Sequence, residues 1–373
     1  MKSTLIKRIF KDKHGFLESY IKANLPTSYY KNSIEKRISK TKEMRDLIFS
    51  ESDKKEAINY WKKNLSQRIS TKWHKAYSLT NGISDPRYIP EYVFYNKIEQ
   101  NLNRFDLAKA YEDKNNYDNL FKDYALPVTV IRNINGNFYD NHYRLVSFEQ
   151  ANLIVIENIK KSKKLICKPS IESGGGKNIE VIKISEENAN ADIEAFFNKY
   201  QKDFIIQEYI EQHSLMSEMH KESLNTIRII TLRFNDEIHF LSGIVRTGNN
   251  GSIVDNATVG GLTCGFDEYG NLNTFATEHD KFSKHEVHPS SKFAFEGNTI
   301  PAMFKIKEFI NNLHNKLLYF DIVSWDIAID KFEDPILIEI NLKMQDINFH
   351  QRNNGPLFGE LTDQVLKKVL DFK

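Results

Sequence analysis

Residues 324–342, SWDIAIDKFEDPILIEINL, set two apolar runs around a short polar KFED. At a period of two, Trp325, Ile327, Ile329, Ile336, Ile338 and Ile340 share one face, and Asp326, Ala328, Asp330, Leu337, Glu339 and Asn341 the other. The first is a core face. With residues 331–334 as a tight loop, Asp326 lies across from Glu339 and Ser324 across from Asn341. Opposed side chains on antiparallel strands sit roughly 4.5–5.5 Å apart at Cβ. Two carboxylates that close repel unless one is protonated or a cation lies between them. Oxygen ligands, two of them acids, suit Mg²⁺ or Mn²⁺ completed by water and phosphate oxygens. For this stretch alone, the alternative is an amphipathic hairpin with a solvated face.

The 373 residues exceed one typical core, so a large multi-lobed domain or two domains are expected. The 40% hydrophobic and 12% aromatic content argues for a folded, soluble chain. Cys167 and Cys264 lie in apolar stretches with no second pair to build a metal site, which points to a reducing cytoplasm. No run approaches the ~18 apolar residues of a membrane span. Charge is uneven: residues 1–110 hold 23 Lys+Arg against 12 Asp+Glu, and the remainder carries a net −9. That asymmetry suits an anionic partner, or a solvated helix in which basic and acidic residues alternate at helical spacing, as in KNSIEKRISKTKEMRDLIF.

Residues 1 to about 75 read as helices, and NGISDPRYIP (81–90) as a turn-rich joint. From about 110 onward strands alternate with helices in an α+β order with mostly antiparallel sheets: LICKP, IEVIKI, FIIQEYI, TIRIITLRF and EIHFLSGIVRTG, with helices near 190–201 and 301–319. In LICKPSIESGGGKNIEVIKI a strand carrying Lys168 runs into Ser173, Gly174, Gly175 and Gly176. Successive glycines let backbone amides enclose an anion, and the lysine supplies a point charge for phosphate. No GK[ST] opens a helix there, so this is not a Walker loop.

A strand lysine before a glycine-rich loop, a strand ending in Gln207-Glu208, and then Asp326, Glu339 and Asn341 resemble the ATP-grasp superfamily. The phrases KPSIESGGGKNI, QEYIEQH, SLNTIRIITL, VDNATVGGLTCGFDEYG, HPSSKFAFEGNTIP, SWDIAI and IEINL are similar, in that order, to the sugar-transfer-associated ATP-grasp proteins of polysaccharide gene clusters. The similarity spans roughly residues 105–365. It implies an ATP-grasp fold over 91–373, with a nucleotide subdomain at about 105–215 and a metal and acceptor subdomain at about 216–373, behind a helical, basic region 1–90.

The resemblance also assigns roles. Lys114 and Lys168 contact the α- and β-phosphates under the loop 173–176. Gln207, Glu208, Tyr209 and Ile210 meet adenine, and Glu211 or Glu218 meets ribose. Arg228 and Arg246 face the γ-phosphate, while Asp326, Glu339 and Asn341 hold magnesium. Asn225, Asn256, Gly260, Gly261 and His288 line an acceptor site with Arg246. His279, His285 and His288 lack the partners of a zinc site. The implied activity is an ATP-dependent carboxylate–amine ligase acting on a sugar-borne or amino-acid substrate in capsule or O-antigen synthesis. A sugar-hydroxyl kinase and a non-catalytic nucleotide-binding module are the alternatives. The expected partners are small molecules and not nucleic acid, with peripheral contact to a glycosyltransferase or to the cytoplasmic membrane face through the basic N-terminal third.

Overall fold

The structure, a computed structural model, describes residues 49–65, 68–161, 164–171, 178–185, 187–255, 260–278 and 283–371. Ser173, Gly174, Gly175, Gly176, Asn256, His279 and most of the basic stretch 31–49 lie outside the described residues.

Two sheets organise the chain, and the paired strands of both run antiparallel, as the element order predicts. The smaller has the order β3-β2-β1-β6-β4-β5, from β1 (Thr129–Ile134), β2 (Asn137–Asp140), β3 (Leu145–Val146), β4 (Leu165–Pro169), β5 (Glu180–Val181) and β6 (Phe204–Glu208). Helices Phe148–Lys160 and Ala189–Tyr200 cover one face, where Ile131, Val155, Cys167, Phe197 and Phe204 form an apolar core. Side chains alternate along a strand, so Cys167 in this core turns Lys168 to the opposite face. Ser147 starts the first helix with a capping box, its hydroxyl accepting from the Gln150 amide while the Gln150 side chain accepts from the Ser147 amide.

The larger sheet has the order β11-β10-β9-β8-β7-β12-β13: β7 (Thr226–Phe234), β8 (Glu237–Thr247), β9 (Leu262–Phe266), β10 (Leu272–Glu278), β11 (Lys284–His285), β12 (Ile322–Ile329) and β13 (Pro335–Asn341). Ile227, Ile229, Val245, Trp325, Ile327 and Leu337 pack with helix Met303–His314 on one face. Along β7 the other face is divided. Arg228 stands at its start, and Ile230, Leu232 and Phe234 continue it into a second core with Trp61, Trp73, Tyr77, Phe94 and Val365. The helices of residues 51–98 thus share a core with the sheet that carries the acids, and do not stand apart from it.

The opening hairpin pairs Asp326 with Glu339 and Ser324 with Asn341, as its spacing predicts. Nearer the turn the register shifts: Ile327 faces Leu337 and Ala328 faces Ile336. A bulge adds one residue to a strand and flips its alternation. Leu337 and Ile340 therefore enter the core, while Ile336 and Ile338, expected there, are only half-buried. No helix among the described residues is long and apolar enough to cross a membrane.

Candidate functional site

Lys114 sits in a short 3₁₀ turn, Lys114–Asn116, whose preceding Asp113 accepts from the Asn115 amide at 3.0 Å. Three side chains of this segment seize the outer edge of β13. Glu112 accepts from the Leu342 amide (2.8 Å), Tyr117 from the Ile340 amide (3.1 Å), and Lys114 Nζ bonds Glu339 Oε1 at 2.7 Å. The same turn is bonded to the small sheet, since the Lys114 amide donates to the Ser170 carbonyl and Arg132 Nη1 to the Asn115 carbonyl. Arg132 is fully buried, stacks on Tyr143 at 3.8 Å, and is a scaffold residue the sequence did not reveal.

Lys114 and Lys168 are 4% and 7% exposed, and the charge of the first acts on the second. Burial first, and the neighbouring Lys114 charge second, lower the Lys168 ammonium to about 7. A group so poised regains its proton when an anion arrives.

Asp326 accepts from Arg228 Nε at 2.6 Å on Oδ1, and on Oδ2 from Arg228 Nη2 at 2.7 Å and Arg246 Nη1 at 3.0 Å. Burial opposes its charge, but Arg228 and Arg246 outweigh that and hold the carboxyl below its usual range. The repulsion expected between Asp326 and Glu339 is thus answered by side chains, two guanidiniums on one acid and an ammonium on the other. Each arginine also reaches a second acid: Arg228 Nη1 lies 3.1 Å from Asp346 Oδ2, and Arg246 Nη2 3.3 Å from Asp255 Oδ1. Asp255 and Asp346 were not expected here: Asp255 lies in the phrase VDNATVGGLTCGFDEYG but carried no assigned role, and Asp346 follows turn residues with no distinguishing motif.

Among the described residues, no cluster of three or more His, Cys, Asp or Glu side chains forms a metal site. A hard cation would therefore rely on Asp326, Glu339 and the amide of Asn341, completed by phosphate oxygens. These residues fit that demand. The Asn341 amide nitrogen, the Ser324 hydroxyl opposite it and both polar atoms of Gln345 are buried without a protein hydrogen-bond partner among the described residues, groups that water, an ion or a ligand would satisfy. β6, where the resemblance puts adenine, also carries an unpaired buried atom. Gln207 Nε2 donates weakly to Pro127 O and Thr129 Oγ1, while its Oε1 is buried with no partner. The Glu208 amide donates to Val128 O and that of Tyr209 to Lys164 O, with the Lys164 ammonium 3.8 Å from the Tyr209 ring centroid. Ile210 is half-buried after them.

Other expected site residues have different duties. Asn225 is fully buried, its amide donating to Met216 O and His220 O, so it braces a loop and cannot touch an acceptor. His288 is likewise buried, Nε2 on Gly248 O and its ring beside His220, behind the site wall rather than on it. Gly260 is exposed at φ +96° and Gly261 is buried. Of the two ribose candidates, Glu211 is paired with Lys331 at 2.5 Å on the hairpin tip. Glu218 lines a cavity of about 590 Å³ with Ser214, His220, Lys221, Asn250 and Ser290.

Helix Ile347–Asn354 lies on strands β8 and β9 beside the arginines. Its Asn354 donates to Ser242 Oγ and Gly243 O, and His350 Nδ1 meets Ser242 Oγ at 3.0 Å. Burial, then Arg228, depress the His350 imidazole to about 3, so it is neutral, and its Nε2 has no partner. The turn before this helix is strained: Met344 and Asp346 hold φ of 60° and 54°. Two side chains fix it, Glu99 accepting from the Gln345 amide (3.2 Å) and the Tyr95 hydroxyl from the Asp346 amide (3.1 Å).

Two antiparallel sheets, joined by a turn whose Lys114 meets the acid hairpin of the larger, define an ATP-grasp protein. The chain belongs to the sugar-transfer associated ATP-grasp family, whose profile matches residues 94–367. No curated protein sequence matches it. Among solved structures it is similar to the VanG D-Ala:D-Ser ligase of Enterococcus faecalis (13% identity, 70% of this chain, 61% of that one, TM-score 0.41). It is also similar to an L-amino acid ligase of Bacillus licheniformis (12% identity, 70% and 48%, TM-score 0.38). The chain thus spans less than two thirds of the length of either.

Proposed function

We propose that this protein is an ATP- and Mg²⁺-dependent ligase that activates a carboxylate as an acyl phosphate and joins it to an amine on a sugar or sugar-derived substrate. The observation that carries the reading is the meeting of Lys114 and Lys168 with Asp326, Glu339, Arg228 and Arg246 in one buried cluster.

The substrate carboxylate oxygen attacks the γ-phosphorus and ADP leaves. The amine nitrogen then attacks the acyl carbon, inorganic phosphate leaves, and the amine proton passes to solvent. Asp326, Glu339 and Asn341 would hold a magnesium ion, which would supply charge neutralisation for the phosphates. Lys114 and Lys168 bind and orient the phosphate tail, and Arg228 and Arg246 stabilise charge on the transferring group, so catalysis is mainly alignment and electrostatics. The cavity beside Glu218 takes the hydroxyl-bearing part of a substrate, its serines, Asn250 and carboxylates offering the donors and acceptors that hydroxyls need.

The test is ADP release with nucleotide-sugars, uronic acids and amino acids crossed against one another, followed by product mass. ADP and free phosphate that need both a carboxylate and an amine, with an amide product, support the ligase. A stable phosphoester formed without amine replaces it with a sugar kinase, and ATP binding without turnover on any pair replaces it with a binding module.

A further inference from the structure

Every oxygen of Asp326 is already bonded to an arginine, yet Asp326 is the acid the proposed function needs as a cation ligand, and the present inference rests on that reading. A divalent cation on Asp326 would face two buried guanidiniums a few ångströms away, and like charges that close in a dry setting repel strongly. Each guanidinium has a second acid, Asp346 for Arg228 and Asp255 for Arg246. Both acids are anchored independently of the arginines. The Asp346 amide donates to the Tyr95 hydroxyl, and Asp255 accepts from the Thr226 amide at 3.1 Å and from the Thr226 hydroxyl.

We propose that Asp346 and Asp255 are positioning residues that retain Arg228 and Arg246 when Asp326 gives its oxygens to the cation. The two arginines share three acids before the cation binds. Afterwards each keeps one, so neither is left as an unpaired buried charge and neither is expelled from the γ-phosphate end of the site. The cluster is a charge relay of fixed membership in which only the partner of Asp326 changes. Without Asp346, Asp326 is the one acid in ion-pair contact with Arg228 among the described residues, and metal and arginine compete for the same carboxylate.

Mn²⁺ binding to the full chain, followed by electron paramagnetic resonance with no turnover, tests this. Asp346→Asn and Asp255→Asn should each weaken Mn²⁺ binding roughly tenfold, while ADP without metal binds at least as tightly as to the wild type, because a negative charge near its phosphates has gone. In an Arg228→Met background the Asp346→Asn loss should vanish, because the competing guanidinium is absent; Asp255→Asn should still cost Mn²⁺ affinity there. Parallel loss of metal-free ADP binding would show that the two acids serve the fold alone and overturn the proposal. Mn²⁺ affinities within about twofold of wild type in both Asn variants, with Glu339→Gln losing the ion, would overturn it and leave the metal reading standing. Equal Mn²⁺ binding by wild type and Glu339→Gln would overturn both.

Discussion

Lys114 Nζ and Glu339 Oε1 meet at 2.7 Å, so the lysine expected on phosphate and the carboxylate expected on metal are each other's partner before either ligand binds. The lysine side chain is 5% exposed and the glutamate 28%, and a pair buried to that degree is costly to halve. Glu339→Gln and Lys114→Met should each lower stability by about 1–3 kcal/mol after discount for the part-exposed glutamate, and the double variant by less than their sum. Urea titrations of the four proteins measure this. Relief of repulsion by Glu339→Gln, the expectation from the hairpin alone, would leave stability nearly unchanged. Turnover should fall in both single variants.

Lys168, lowered to about 7 by burial and by Lys114, is mostly uncharged at pH 8 and regains its proton when phosphate arrives. ATP binding at pH 8 should therefore take up close to one proton, and affinity should fall as pH rises above about 7. Calorimetry in buffers of different ionisation heat reads the uptake. Lys168→Met should abolish it and weaken ATP more than AMP. Uptake unchanged in that variant would place the titrating group elsewhere.

Glu99 is buried with one oxygen unpartnered, and burial raises its carboxyl to about 8, against the pull of the Gln345 and Met344 amides. Its folded value lies above its unfolded one. The stability it contributes is complete below about 4.5 and is lost as pH climbs to about 8. Glu99→Gln should flatten the decline in unfolding free energy between pH 5 and 8. An unchanged slope would mean that Glu112, raised to about 7 by burial, carries the window instead.

Truncation near residue 90 removes Trp61, Trp73 and Tyr77 from the core they share with Ile230, Leu232 and Phe234 of β7. The expected product is insoluble or molten, with no ATP binding. Trp73→Ala, the milder probe, should cost about 3–5 kcal/mol, and a truncated chain that binds ATP would show the sheet folds without its helices.

The strand periods, the antiparallel order and the pairing of Asp326 with Glu339 were legible because they depend on local alternation. The shift between Glu339 and Leu337 was not, because a bulge adds a residue without changing composition. Asp255 and Asp346 were also invisible: they meet arginines 9 and 118 residues away in the chain, and nothing near either acid announces such a partner. Asn225 and His288 were misplaced for the converse reason. Polar residues beside a strand or in a polar loop look like binding groups until burial shows what they brace.

The bonds that tie residues 112–117 to both sheets have a mechanical consequence. Glu112, Lys114 and Tyr117 grip β13, and the same turn is held by Ser170 and Arg132 of the small sheet. Were this segment to swing away, it would bare the amides of Ile340 and Leu342 along the sheet's edge. It is therefore the clasp between the two sheets, and Tyr143, in the turn between β2 and β3, closes on it as well, its hydroxyl donating to the Asn115 carbonyl at 2.6 Å.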